Sequence, residues 1–385
     1  MVKFRRNIFQ LTVIVLIIAL VYLLFFHAYV KEIRINVRLI GRGKVSINGL
    51  LVSSNSTLTF KLVKNGYVSN FEALTLEIKD MSSGGWRINE ILFNNVSCSG
   101  NVVRVVEDGV IEVRFDRIVS IRYPDGSMPI SCVDLDDDGI CNFIIEINPW
   151  NLRSVHGYAN MTYIFSKGML QYYQEISDPV PVYQDILVFG FPEIYYGNKP
   201  WNRFMALDGP IPLPSKVINL NDFQLTLNYS LEHNQNLPIN LAIESWFTRE
   251  KYRVNGVFPG EIEMMIWLYW HNLSPAGSKI GELTIPLEVN GKNVMNTFEI
   301  WYANMTWHYI VFRIKNSIRN GFIRLDYSPF INEISNIIGN KFKELYLEDV
   351  EVGVEYGESS VRIEMINWRL YEFTLEYKSR HILDS

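Results

Sequence analysis

From Glu261 to Leu268 the chain reads Glu-Ile-Glu-Met-Met-Ile-Trp-Leu, and from Glu351 to Glu358 it reads Glu-Val-Gly-Val-Glu-Tyr-Gly-Glu. In an extended strand alternate residues share a side, so Glu261, Glu263, Met265 and Trp267 face one way and Ile262, Met264, Ile266 and Leu268 the other. Further strand-like runs recur at Leu187–Phe189, Gln224–Tyr229, Leu283–Val289, Thr297–Trp301, Tyr309–Ile314 and Arg362–Leu375. Gly, Pro and Asn turns separate them, and Asn290-Gly291 is a hairpin signal. One segment changes period. Pro329 to Leu345 carries Phe330, Ile334, Ile337, Ile338, Phe342 and Leu345 at helical spacing, with Gly339 a weak point, and is expected to pack on the outer face of a sheet. The pattern predicts an all-β sandwich of two antiparallel sheets, one bent around a groove.

The N-terminal third reads differently. Lys3, Arg5 and Arg6 precede an apolar stretch, Leu11 to Val30, interrupted by Thr12 and His27. About twenty such residues cross roughly 30 Å of hydrocarbon as a helix. Residues 1–30 therefore read as a transmembrane signal-anchor, with a cleaved signal peptide the competing reading. In either case the rest of the chain lies outside the cell membrane, anchored or secreted. Asn-x-Ser/Thr sequons at Asn55, Asn95, Asn160, Asn228, Asn272 and Asn304 agree with export.

Residues 31–122 form short period-two runs, Ile33–Leu39 and Val110–Phe115, between turns at Gly41-Arg42-Gly43 and Ser82–Gly85. This is a small β-rich module. It serves either as a spacer or as a polysaccharide- or wall-binding element, and its Trp86 reads as core. Residues 123–141 form an acidic linker in which Asp134, Asp136 and Asp138, followed by Gly139, sit at the first, third and fifth positions of a calcium-type loop. Ile145 stands where such a loop places its bidentate Glu. The readings are a structural Ca²⁺ site or a solvated acidic turn. Cys132 and Cys141 bracket the loop, and either they pair or one of them pairs with Cys98. Residues 142–379 are the catalytic candidate.

Charge and composition narrow the function. A net charge of −5 with no basic run argues against nucleic acid, whose phosphates demand a clustered cationic surface. The histidines His156, His233, His271 and His308 show no zinc spacing. Carboxylates seldom face a strand interior unless they pair. Glu263 and Glu355, on separate strands, point to a cleft holding two acids, the equipment for hydrolysing a glycosidic bond with retained configuration, which needs no cofactor.

Five strings carry a more specific resemblance: Asn148-Pro-Trp-Asn151, Gly197-Asn-Lys-Pro-Trp201, Glu244-Ser-Trp-Phe-Thr248, Glu263-Met-Met-Ile-Trp267 and Gly353-Val-Glu-Tyr-Gly357. Together and in this order, over roughly 142–377, they resemble glycoside hydrolase family 12, here of an archaeal type with a membrane segment and an extra β-module. The resemblance implies a β-jelly-roll, retaining endo-β-1,4-glucanase acting on cellulose-type β-glucan, with xyloglucan and xylan as competing substrates. A non-catalytic carbohydrate-binding surface protein is the alternative. It further implies that Glu263 is the nucleophile and Glu355 the acid/base, with carboxyls about 5–5.5 Å apart. Asn148 and Trp150 would bind sugar, as would Trp201, with Met265 and Trp267 lining the floor. Glu244 falls where the family usually has the Asp that hydrogen-bonds the nucleophile, and Tyr356-Gly357 stand where several members have Pro-Phe. A monomer is expected.

Overall fold

The computed structural model describes residues 2–66, 70–124, 129–220, 222–358 and 363–377, with side chains from residue 11 onward. The chain divides into two compact units, 1–118 and 119–385.

In the first unit an α-helix, Val2–Val21, continues into a π-helical turn, Tyr22–Phe26. Among the described residues no helix is long and apolar enough to cross a membrane, and the side chains of Lys3, Arg5 and Arg6 lie outside the described set. The helical segment also stops short of Val30. Ala28–Ile40 is a strand, because Tyr29 and Val30 already pair with Lys64 and Val63. That strand lies between Ser56–Asn65, antiparallel, and Gly109–Tyr123, parallel, and Trp86–Phe93 extends the sheet. A second sheet joins Leu50–Val52, Val45–Ile47, Leu74–Asp80 and Val102–Val105. Period-two alternation supplies the core: Ile33, Ile35 and Val37 from one sheet meet Val45, Ile47, Leu76 and Ile78 from the other, all buried. Trp86 packs against this core.

The second unit is a sandwich. Its groove sheet runs, strand by strand, through Phe143–Glu146, Glu193–Asn198, Asp349–Gly353, Ile239–Thr248, Ile262–His271 and His308–Ile314. All pairs are antiparallel except the last, which is parallel. The second sheet joins Asn320–Asp326, Phe223–His233, Ile363–Tyr377, Met169–Pro181 and Leu152–Ile164. The hairpin Ser278–Val289/Lys292–Asn304 belongs to both, pairing with His308–Ile314 through its second strand and with Asn320–Asp326 through Glu288 and Val289. Its turn is the predicted Asn290-Gly291, both at positive φ (50° and 77°), as a tight hairpin requires. Ile243, Ile266 and Phe312 of one sheet and Leu225, Leu227 and Leu370 of the other are buried in a shared core.

The helix departs from expectation twice. It spans Ser328–Ile338, and Gly339 at φ 90° and ψ 168° ends it, leaving Asn340–Glu344 as a separate 3-10 turn. A residue without Cβ takes that conformation freely, so the weak point became a terminus. Nor does the helix pack on the outer face of a sheet. Phe330 packs edge-on against Phe298 and Phe312, with ring centroids 5.3 and 5.0 Å away, on the core-facing side of the groove sheet. Helical periodicity shows which side of a helix is apolar, not which sheet face receives it.

Candidate active site

Cross-strand neighbours share a face, so the registers lay out the groove floor in rows. Trp246, Glu263 and Tyr309 form one row. Tyr195, Glu351, Glu244, Met265 and Val311 form the next. Glu146, Glu193, Gly353, Ala242, Trp267 and Arg313 form a third. The alternation read in Glu261–Leu268 is the alternation observed, except that Glu261 precedes the strand. There it is buried and accepts from the backbone N–H groups of Arg249 and Phe258, at 2.9 and 2.7 Å, and from the Arg253 guanidinium at 2.9 Å. Glu351 is likewise buried.

Glu263 is 9% exposed, and its Oε2 accepts from the indole N–H of Trp307 at 2.6 Å. Glu355 stands just past the Asp349–Gly353 strand and is clasped by Asn240. The Asn240 side chain donates to Oε2 of Glu355, accepts from its N–H at 3.0 Å, and the Asn240 N–H donates to its carbonyl at 3.0 Å. Burial pushes Glu263 up to about 8 against the opposing Trp307 bond, with the charge of Glu355 adding to the rise. Burial likewise carries Glu355 to about 7, opposed by the Asn240 bond. Each acid therefore exchanges its proton near neutrality, where general acid/base work is done. Glu244 is held well above the carboxylate range by burial, then by the charges of Glu351 and Glu263. Among the described residues it makes no hydrogen bond to Glu263, and lies diagonal to it on the neighbouring strand, on the same face.

A buried lysine underlies this floor. The ammonium of Lys199 is gripped by Glu193 and by Glu351 at 3.0 Å, with Glu146 at 3.9 Å. Burial works against its charge, but these carboxylates outweigh it and hold Lys199 well above its ordinary range. Burial also raises Glu351, and the ammonium more than reverses that. Glu193, pushed far up by burial and by the charge of Glu351, accepts from the Asn148 amide at 3.0 Å. Asn148 thus ties the Trp150 loop to the floor. Trp150 itself is exposed.

The Gly197–Trp201 segment is built for close approach. A Cβ on Gly197, at φ 92°, would lie 2.2 Å from the Glu348 carbonyl oxygen. Asn198 donates to the Arg253 carbonyl at 2.8 Å and to Glu348 at 2.6 Å. Trp201 then emerges half-exposed and packs edge-on with Trp246 and Trp307 at centroid distances of 5.5 and 6.0 Å, those two being 5.8 Å apart. Trp267 is 1% exposed and sits with Phe191, Ala242, Met265, Tyr309 and Val311 in a packed cluster. Its rings are sealed in the floor, so it offers a sugar no face. Met265, also buried, accepts from the Tyr309 hydroxyl at 3.7 Å.

Asn240 was legible, since it shares a strand face with Ala242, Glu244 and Trp246. Trp307 lies in a turn outside any alternation, and Lys199 gives no sign in sequence of its carboxylate partners. Away from the groove, Asp134, Asp136 and Asp138 bring carboxylate oxygens within 4.8 Å of one another. Asp134 accepts from the N–H groups of Asp137 and Gly139 at 2.7 and 2.9 Å. Cys132 and Cys141 are disulfide-bonded, and Cys98 is free.

Residues 141–375 match the family model described as glycosyl hydrolase family 12. Solved structures with the same architecture include the native family 12 xyloglucanase from Bacillus licheniformis, 17% identical, covering 68% of this chain and 100% of its own, with a TM-score of 0.51. The endoglucanase cel12A from Rhodothermus marinus is 22% identical over 68% of this chain and 99% of its own, with a TM-score of 0.47. No curated protein matches the chain.

Proposed function

Because the chain belongs to glycosyl hydrolase family 12 and is a glycoside hydrolase, we propose that it cleaves β-1,4-glucosidic bonds within cellulose-type polysaccharides with retention, using Glu263 and Glu355. The observation that carries this reading is the pair itself: two acids on one groove face, each poised near neutral pH and each held by its own donor. Glu263 attacks the anomeric carbon while Glu355 gives its proton to the departing glycosidic oxygen, leaving a glycosyl ester on Glu263. Glu355, now ionised, takes a proton from water, whose oxygen displaces Glu263.

This sequence requires Glu263 to be ionised while Glu355 is protonated. Burial raises both acids, to about 8 and about 7, and so does not itself select which one is charged. A bound sugar supplies the difference: its hydroxyls donate to Glu263 and its bridging oxygen accepts from Glu355, so binding favours the reactive pair of states. Trp150 and Trp201, the exposed indoles beside the groove, stack on glucose rings. Glu244, lying across from Met265 beside the nucleophile, tunes its charge.

Hydrolysis of carboxymethyl-cellulose and xyloglucan tests the reading. Glu263→Gln and Glu355→Gln are each expected to lower kcat/KM by about 10²–10⁴-fold, and the first anomer seen by NMR should be β. A parent inert on every β-glucan would leave a carbohydrate-binding protein, and variants as active as the parent would remove Glu263 and Glu355 from the reaction. An α product would overturn retention.

We further propose that the N-terminal helix anchors a monomeric enzyme on the extracellular face of the cell membrane, with the 31–122 module as spacer. Release of the protein by alkaline carbonate would count against the anchor. The Asp134–Asp138 loop is proposed to take a structural Ca²⁺, and a Tm unmoved by calcium or chelator would remove that assignment.

A further inference from the structure

We propose that Trp307 is a positioning residue for the nucleophile: its indole N–H orients the Glu263 carboxyl and favours its charged form, while the same ring closes an aromatic wall with Trp201 and Trp246. The inference rests on the glycosidase reading of the groove. Its geometry is independent of that reading. The donor lies 2.6 Å from Oε2 of Glu263, and all three ring centroids fall within 6.0 Å of one another. Trp201 is the exposed member and Trp246 the buried one, so a sugar stacked on Trp201 bears on the ring that holds the nucleophile.

Every other group facing Glu263 argues for the same role. Glu244 on the neighbouring strand, Glu351 beyond it and Glu355, held by Asn240, are acids, and each opposes a charge on Glu263. Lys199 is the cation that acts the other way, and its ammonium is already engaged by Glu193 and Glu351. Tyr309, in register with Glu263 on the parallel strand, spends its hydroxyl proton on the Met265 sulfur. His308 faces away and bonds the Tyr302 hydroxyl at 2.9 Å. Among the described residues the Trp307 indole is therefore the donor that Glu263 has. A donor to the ionised form lowers a carboxyl's pKa, and a hydrogen bond to a charged group carries about 1.5–3 kcal/mol, or about one to two pH units.

Trp307→Phe keeps an aromatic ring and removes the N–H. In kcat/KM against pH, its acidic limb is expected to move up by about one to two units, with KM changed less than about twofold, whereas a purely packing role would leave the limb in place. A limb that stays where the parent has it overturns the proposal. Tryptophan emission provides a readout that needs no substrate. In the parent it should titrate with Glu263, in Trp307→Phe that component should vanish, and in Glu263→Gln it should vanish as well. A component that persists in either variant likewise overturns the proposal. If the parent hydrolyses no β-glucan, the glycosidase reading fails, and the emission titration still decides whether Trp307 holds Glu263.

Discussion

Lys199 and its carboxylates show how much rests on single side chains here. Removing one partner from a buried ion pair leaves an uncompensated charge and costs about 3–5 kcal/mol. Lys199→Met is therefore expected to lower the urea midpoint sharply, because Glu193 and Glu351 are then buried without their cation. Adding Glu351→Gln should recover part of the loss. A single variant as stable as the parent would show that the cluster is already neutral. At this scale the sequence revealed what alternation exposes. Glu263 and Met265 fall on one face by period two, and Asn240 could have been read the same way from Glu244. Trp307 and Lys199 could not, because their partners lie 44 and up to 152 residues away along the chain.

Strands and their turns were the most legible elements. The run from Ile262 to His271 is buried along most of its length because one side meets the sandwich core and the other a packed groove floor. Asn290-Gly291 announced its hairpin through the positive φ that both residues tolerate. The helix was found, but its end and its resting face were not, since both depend on tertiary partners such as Phe298 and Phe312. Cysteine spacing left pairing open, and the structure joins Cys132 to Cys141 across nine positions. A closed loop of that size restricts the unfolded chain by roughly 2–3 kcal/mol. Replacing both cysteines by serine should lower stability by that amount with glycoside hydrolase activity retained. A loss of activity at unchanged stability would instead tie the loop to the groove.

Across the molecule, buried acids set the response to pH. Glu263 is raised to about 8, and Glu355 and Glu348 to about 7, each chiefly by burial, from an ordinary value of 4.5. A carboxyl whose folded pKa exceeds its unfolded one binds more protons when folded, so its contribution is whole below about 4.5 and is lost as pH rises to 7–8. Glu351 opposes this, being lowered, but its window lies at acid pH. Tm is expected to fall steadily from pH 5 to pH 8, and a flat or rising profile would mean that these groups are solvated. The family was legible from five strings in order, because a groove that cuts one kind of bond fixes residues on many strands at once. The N-terminal module carried no such constraint, and only its period-two runs could be read.

The Ser278–Asn304 hairpin is hydrogen-bonded to His308–Ile314 on one side and to Asn320–Asp326 on the other. Those two borders belong to different layers of the sandwich, which gives the layers a common seam. Neither layer can peel away by itself without tearing the edge of its neighbour, so heat should take the sandwich apart in a single cooperative step.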